Sequence, residues 1–101
     1  MEPPITDVND ENFRLLYAAA SGDLNLMKML QFKHWKVNAY DYDGRTALGL
    51  AASEGHLDCV KYLISHGADP THIDARGNDA EADAERNGHN TVTAYLTTLR
   101  K

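Results

Sequence analysis

Asp41-Tyr42-Asp43-Gly44-Arg45-Thr46-Ala47-Leu48-Gly49-Leu50-Ala51-Ala52-Ser53-Glu54-Gly55-His56 opens the stretch that decides how this chain folds. Leu57-Asp58-Cys59-Val60-Lys61-Tyr62-Leu63-Ile64-Ser65-His66-Gly67-Ala68-Asp69-Pro70-Thr71-His72-Ile73 completes it. The order is a glycine turn, a Thr-x-Leu helix start, an Ala-Ala pair, a Gly-His break, a Val-x-x-Leu helix and a Gly-Ala-Asp loop. Outside the stretch the pattern returns at a fixed interval of 33 residues. Gly22, Gly55 and Gly88 keep that spacing, as do Ala18, Ala51 and Ala84, and Leu30, Leu63 and Leu96. A repeat that cannot bury its own apolar face must be stacked on others like itself.

These residues resemble the ankyrin repeat, and Asn38-Ala39-Tyr40 before Asp41 is similar to the Asn-Ala close of a preceding unit. The resemblance implies an all-α solenoid of stacked helix-turn-helix units with protruding β-turn loops. Three repeats are expected at about 8–40, 41–73 and 74–101, within a domain over 11–101. About three is the usual minimum for a stable stack. Residues 1–10 carry Pro3, Pro4 and several polar residues, and read as an extended or disordered lead-in.

Composition narrows the function classes. With 101 residues and 43% apolar content, the chain is one globular domain. A net charge of -5 opposes attraction to nucleic-acid phosphates and to acidic lipid surfaces. No apolar run approaches the roughly 20 residues needed to span a bilayer. Met1 to Asp7 has neither the basic region nor the apolar core of a secretory signal. Cys59 is the sole cysteine, so no intrachain disulfide forms, and a cytoplasmic or nuclear setting is expected.

The period also assigns roles along the chain. A first helix is expected from about Asn12 to Ala20, capped by Asp10 or Asn9 and ended by Ser21-Gly22, with Asp23 opening a second. Cys59 aligns with Leu26 and reads as a small buried hydrophobe. Phe32-Lys33-His34-Trp35-Lys36 breaks the pattern: Phe32 and Trp35 either fold over the open end of the stack or form an exposed aromatic patch for a partner. In the third unit Asp79 stands where Thr46 would cap. Glu81 aligns with Leu48, so its carboxylate must face solvent, find a partner or loosen the turn. Thr93 and Thr97 replace Val60 and Ile64, which gives the last unit the polar outer face that ends a stack. Gly49 inside a helix costs about 1 kcal/mol relative to alanine.

Chemistry-bearing residues are scattered. The five histidines, 34, 56, 66, 72 and 89, have no zinc-like spacing, and His56 and His89 repeat one period apart as architecture. Asp79, Glu81, Asp83 and Glu85 read as a solvated first turn that complements the helix dipole. Gly44, Gly55 and Gly77 sit one per turn and make no phosphate cradle. No nucleophile stands with a base and an orienter. No catalytic residue, metal ligand, cofactor site or small-molecule substrate is therefore expected.

What remains is a surface for another protein. The resemblance implies contacts from the turn fingertips and the exposed side of each first helix: Tyr40, Tyr42, Asp43, Arg45, Ser53 and Glu54, then Ile73, Ala75, Arg76, Asn78, Arg86 and Asn87. Tyrosine and arginine are frequent energetic anchors at interfaces; the same residues also fit a reading as solvated turn positions. Asn38 occupies the loop asparagine that cytosolic asparaginyl hydroxylases modify in ankyrin repeats, and also suits a loop-closing hydrogen bond. Leu15 to Asp23, Asp41 to Leu48 and Ala51 to His56 are also similar to the short ankyrin segment of eukaryotic glutaminases. The alternative to a non-enzymatic adaptor is thus a regulatory or oligomerisation tail of a larger enzyme, such as a glutaminase or a kinase.

Overall fold

The computed structural model describes residues 3–7, 10–30 and 35–99. Among them are six helices: α1 (Glu11–Ser21), α2 (Leu24–Leu30), α3 (Ala47–Ser53), α4 (Leu57–Ser65), α5 (Ala80–Arg86) and α6 (Asn90–Thr98). The described residues add a single antiparallel bridge, Tyr40 to Thr46, and no strand.

Short polar side chains set the helix starts by taking up N–H groups that have no partner inside the first turn. Asp10 Oδ1 accepts from the Asn12 N–H at 2.7 Å, and Asp23 Oδ1 from Leu26 at 3.0 Å. Thr46 accepts from Gly49 at 3.2 Å and Asp79 from Ala82 at 2.8 Å, two equivalent positions with the same bond. Asp10 is thus the first cap; Asn9 lies outside the described residues. Gly22 closes α1 in the left-handed region at φ 75°, its N–H on the Ala18 and Ala19 carbonyls.

The helices form two rows. α1 packs on α3 and α3 on α5, while α2, α4 and α6 line up behind them. Ala18, Ala51 and Ala84 are fully buried along the inner row, where small side chains let the helices approach. Leu30, Leu63 and Leu96 are buried in the outer row. Cys59 is fully buried, and burial, reinforced by Asp58, pushes its thiol up to about 11. At neutral pH it packs as a small hydrophobe.

One contact recurs between repeats. The ring of His56 lies on Gly22 so closely that a β-carbon there would meet Nδ1 at 2.6 Å; His89 lies on Gly55 the same way, at 2.5 Å. His56 Nε2 also donates to the Ala20 carbonyl at 3.2 Å. Asn38 joins the first loop to the second, its Nδ2 donating to Gly67 O at 3.3 Å and its Oδ1 accepting from Asp69 N–H at 2.8 Å.

Two expectations need correcting. Trp35 does not fold over the open end of the stack: it is half-buried, its ring 6.1 Å from both Tyr62 and His66, so it packs forward onto α4. Phe32 lies outside the described residues. Glu81 is only half-buried, and the acid the third repeat buries is Asp83, 6% exposed. The row Asp79-Glu81-Asp83-Glu85 is therefore not a uniformly solvated turn: Asp79 caps, Asp83 is interior and Glu85 is exposed. Glu85 stands where Ala19 and Ala52 are fully buried, so the far face of the third repeat is polar, and Thr93 and Thr97 satisfy their hydroxyls on the His89 and Thr93 carbonyls of their own turn.

Candidate protein-binding surface

The two finger turns are built by aspartates at equivalent positions. Asp41 Oδ1 accepts from the N–H groups of Asp43 and Arg45, both at 2.9 Å, while Gly44 N–H closes on the Asp41 carbonyl. Asp74 repeats this with Arg76 at 2.9 Å and Asn78 at 3.0 Å, and Gly77 closes on its carbonyl. An Asp side chain that mimics a backbone acceptor in this way fixes the turn from sequence alone. The fingers are tied together: Ala75 N–H donates to Asp43 O at 2.9 Å and His72 Nε2 to Gly44 O at 2.7 Å. Gly44, at φ 74°, also has the Ala75 nitrogen where a β-carbon would sit, at 3.1 Å.

This scaffold sorts the predicted contact residues into two groups. Tyr42 is 77% exposed in the first finger turn and Ile73 59% exposed just before the second, whose Ala75 and Arg76 are also exposed. Tyr40 sits lower, its ring 5.8 Å from that of His72. Between them lies an open cleft of about 450 Å³ bordered by Tyr40, Tyr42, Gly44, His72, Ile73 and Ala75. Two aromatic rings and a branched aliphatic at a cleft mouth can receive an apolar side chain.

The second group, Glu54 apart, is engaged by other parts of the chain, mostly within its own turn or helix. Arg45 pairs with Asp41 Oδ2 through Nε at 3.2 Å and Nη2 at 3.1 Å, and with Asp43 at 3.4 Å. Asn78 spends its N–H on Asp74 and is half-buried. Asn87 Nδ2 donates to the Ser53 carbonyl at 2.9 Å and hydroxyl at 3.0 Å, crossing from the third repeat to the second. Glu54 is exposed at the end of α3. Arg86 Nη2 donates to Asp83 Oδ1 at 2.7 Å. Burial holds the Asp83 carboxyl above its ordinary range, and Arg86 pulls it back down.

Sequence reasoning missed Tyr17. It is 64% exposed on α1, in the same row of the inner helices as Leu50 and Asp83. The period did not mark it: Leu50 is half-buried against the core and Asp83 is buried, so the outward turn of Tyr17 belongs to the first repeat alone.

No group of three or more His, Cys, Asp and Glu residues that could hold a metal ion occurs among the described residues. Nor is any helix of the described residues long and apolar enough to cross a membrane.

Comparison with known proteins extends these observations. The family model described as ankyrin repeats (3 copies) matches residues 15–99. The mitochondrial liver isoform of glutaminase from Rattus norvegicus is 40% identical over 83 residues, 81% of this chain and 14% of that protein. An L-asparaginase from Dirofilaria immitis is 45% identical over 53 residues, 52% of this chain and 9% of that protein. Ankyrin repeat domain-containing protein 63 from Homo sapiens is 43% identical over 60 residues, 59% of this chain and 16% of that protein. The chain thus spans only a small part of the length of the curated relatives it matches.

Proposed function

This chain belongs to the ankyrin-repeat family, and from that membership we propose that it is a non-enzymatic module that holds a protein partner against its finger turns and inner helices. Ankyrin repeats are in general protein-interaction modules and are not catalytic. The observation that carries the reading is the pair Tyr42 and Ile73, large exposed side chains, the first within the turn that Asp41 makes rigid and the second next to the one that Asp74 makes rigid. Rigid presentation lowers the ordering cost of binding. Arg76 and Glu54 supply exposed charge around them, and Tyr17 extends the surface onto α1. Arg45, Ser53, Asn78 and Arg86 serve this surface by fixing its shape. Within this reading the setting is cytoplasmic or nuclear, and the Asn38 amide is the hydroxylation candidate, which mass spectrometry of the Asn38 peptide from cells would check.

A second reading has its own support. The glutaminase and asparaginase relatives match over 14% and 9% of their lengths, so a segment of this kind occurs inside larger enzymes. There it would serve as a regulatory or oligomerisation tail, and the partner would be a catalytic domain or another copy.

The test is affinity capture from cell extract with the chain as bait beside the double variant Tyr42→Ala, Ile73→Ala. Capture of one protein by the wild type, reduced at least about tenfold in the variant with the unfolding midpoint unchanged, is the expected result. Equal capture by both would refute this face as the binding surface. Recovery only of full-length copies of a parent enzyme favours the second reading.

A further inference from the structure

Of the asparagines in this chain only Asn87 is followed by glycine. Repeats 1 and 2 place Ser21 and Glu54 before the equivalent Gly22 and Gly55, so a carboxamide at this position belongs to the third repeat alone. Asn87 is exposed at the C-cap of α5, and its Nδ2 donates to the Ser53 carbonyl at 2.9 Å and hydroxyl at 3.0 Å. Ser53 is the last residue of α3. One carboxamide thus ties together the C-terminal ends of two inner helices. The cap also sets how reactive that carboxamide is. Gly88 has no β-carbon to shield its nitrogen. At an Asn87 ψ of 6° this nitrogen eclipses the Asn87 nitrogen and is turned away from the side chain, and its N–H donates to the Glu85 carbonyl at 3.1 Å.

We infer that Asn87-Gly88 is a self-modifying site, and that its conversion to aspartate and isoaspartate cuts the tie between the second and third repeats. The Gly88 nitrogen attacks Cγ of Asn87. A bond from that nitrogen to Cγ forms, the bond from Cγ to Nδ2 breaks, and Nδ2 leaves with the Gly88 proton as ammonia. Water then opens the cyclic imide. Addition at Cγ restores the backbone with an aspartate side chain, and addition at the Asn87 carbonyl carbon routes the chain through Cβ and Cγ as isoaspartate. Water is the only co-reactant, and nothing is oxidised or reduced. Ring closure requires Gly88 to leave Glu85 and ψ to turn, so local opening of the cap gates the reaction.

Neither product can hold the tie as the amide does. A carboxylate has no N–H, so the Ser53 carbonyl loses its donor, although the Ser53 hydroxyl can turn to donate. The new charge lies at the carbonyl ends of α3 and α5, where the helix dipole disfavours an anion. Isoaspartate also lengthens the backbone by one carbon shortly before His89, whose ring is seated on Gly55. Both products therefore loosen the third repeat against the second. None of this depends on the partner surface proposed above.

The test incubates the full chain, native and unfolded in guanidinium chloride, in heavy-oxygen water at mildly alkaline pH. Mass spectrometry follows the Asn87 peptide, and enzymatic methylation counts isoaspartate. Conversion is expected at Asn87 before any other asparagine, with heavy oxygen in the product, and about 10- to 1,000-fold slower in the native chain, as for a local opening. Equal native and unfolded rates would overturn the gate. A native rate slowed by more than about 1,000-fold would mean that only global unfolding exposes the site, and would overturn it as a site of the folded chain. Earlier conversion of another asparagine would overturn its selectivity. Asn87→Gln keeps a carboxamide but would have to close a six-membered ring, so position 87 should stay unmodified; heavy oxygen there would exclude the cyclic route. Asn87→Asp reads the consequence. Its unfolding midpoint should fall by about 4–8 °C, and the His89 amide, bonded to the Ala84 carbonyl at 2.9 Å, should exchange at least about tenfold faster than in wild type. Midpoint and exchange both equal to wild type would show that the tie holds nothing. The conversion itself is read on the wild type, so it stays decidable if Asn87→Asp fails to fold.

Discussion

Replacing Arg86 by methionine should expose what the third repeat spends to keep Asp83 inside. Methionine keeps the apolar stem of the side chain and removes the guanidinium that donates to Asp83 Oδ1 at 2.7 Å. A hydrogen bond to a charged group contributes about 1.5–3 kcal/mol. The Arg86 side chain is 48% exposed, so solvent screening discounts this. A loss of about 1–2 kcal/mol at neutral pH is expected, which for a domain of this size lowers the unfolding midpoint by roughly 4 to 16 °C.

The sign with pH is specific. Asp83 titrates above its ordinary range in the folded chain, because burial outweighs Arg86. The native state therefore holds its proton more tightly than the unfolded state, and this residue's contribution to stability rises as pH falls through the raised value toward the ordinary one. Without Arg86 the value climbs further, so the variant gains more on acidification. Its deficit at about pH 7 should shrink as pH falls through the raised value, where the folded carboxyl takes up its proton and Arg86 no longer faces a charged partner. Thermal melts across that range, with Asp83→Asn alone and combined with Arg86→Met, complete a double-mutant cycle. Asp83→Asn should remove most of the cost of losing Arg86. A deficit below about 0.5 kcal/mol at neutral pH, or one that stays constant down to about pH 4, would refute the account.

Two further substitutions test the scaffold. Gly49→Ala places a β-carbon 3.6 Å from the Thr46 hydroxyl, an ordinary contact inside α3, and should raise stability by about 1 kcal/mol; a loss on urea denaturation would show that the inner helices need glycine there. Gly55→Ala combines a φ of 79° with a β-carbon 2.5 Å from His89 Nδ1, and should cost about 1–3 kcal/mol; a midpoint within error of wild type would mean that the His89 ring moves aside freely.

The fold was legible because its determinants are local and periodic. Asp10, Thr46 and Asp79 cap helices by reaching two or three residues forward, and Asp41 and Asp74 build their turns within four residues. The choice of partner across space was not. Glu81 drew attention because it aligns with the fully buried Leu48, yet at the edge of the stack that position is only half-buried. Asp83 was read as part of a solvated first turn although Arg86 follows at i+3, a spacing that brings side chains together on a helix. Trp35 had two readings in the sequence and a third in the structure, because its ring is placed by Tyr62 and His66, 27 and 31 residues away. Of the candidate surface, the structure shows that Tyr42 and Ile73 are exposed. Arg45 and Arg86 pair with the nearby Asp41 and Asp83, a contact the i+4 and i+3 spacings in the sequence allow.

The seating of His56 on Gly22 and of His89 on Gly55 makes each junction directional. The histidine comes from the later repeat and the glycine from the earlier one. A repeat transplanted from this chain into another array would carry its own ring but depend on its host for a glycine to receive it. An alanine in the host would spoil the graft even if every residue of the donor were intact. At Gly88, φ 77°, the same seat lies open, with no described atom within 4 Å of where a β-carbon would be. A synthetic repeat joined there would need only to bring the histidine.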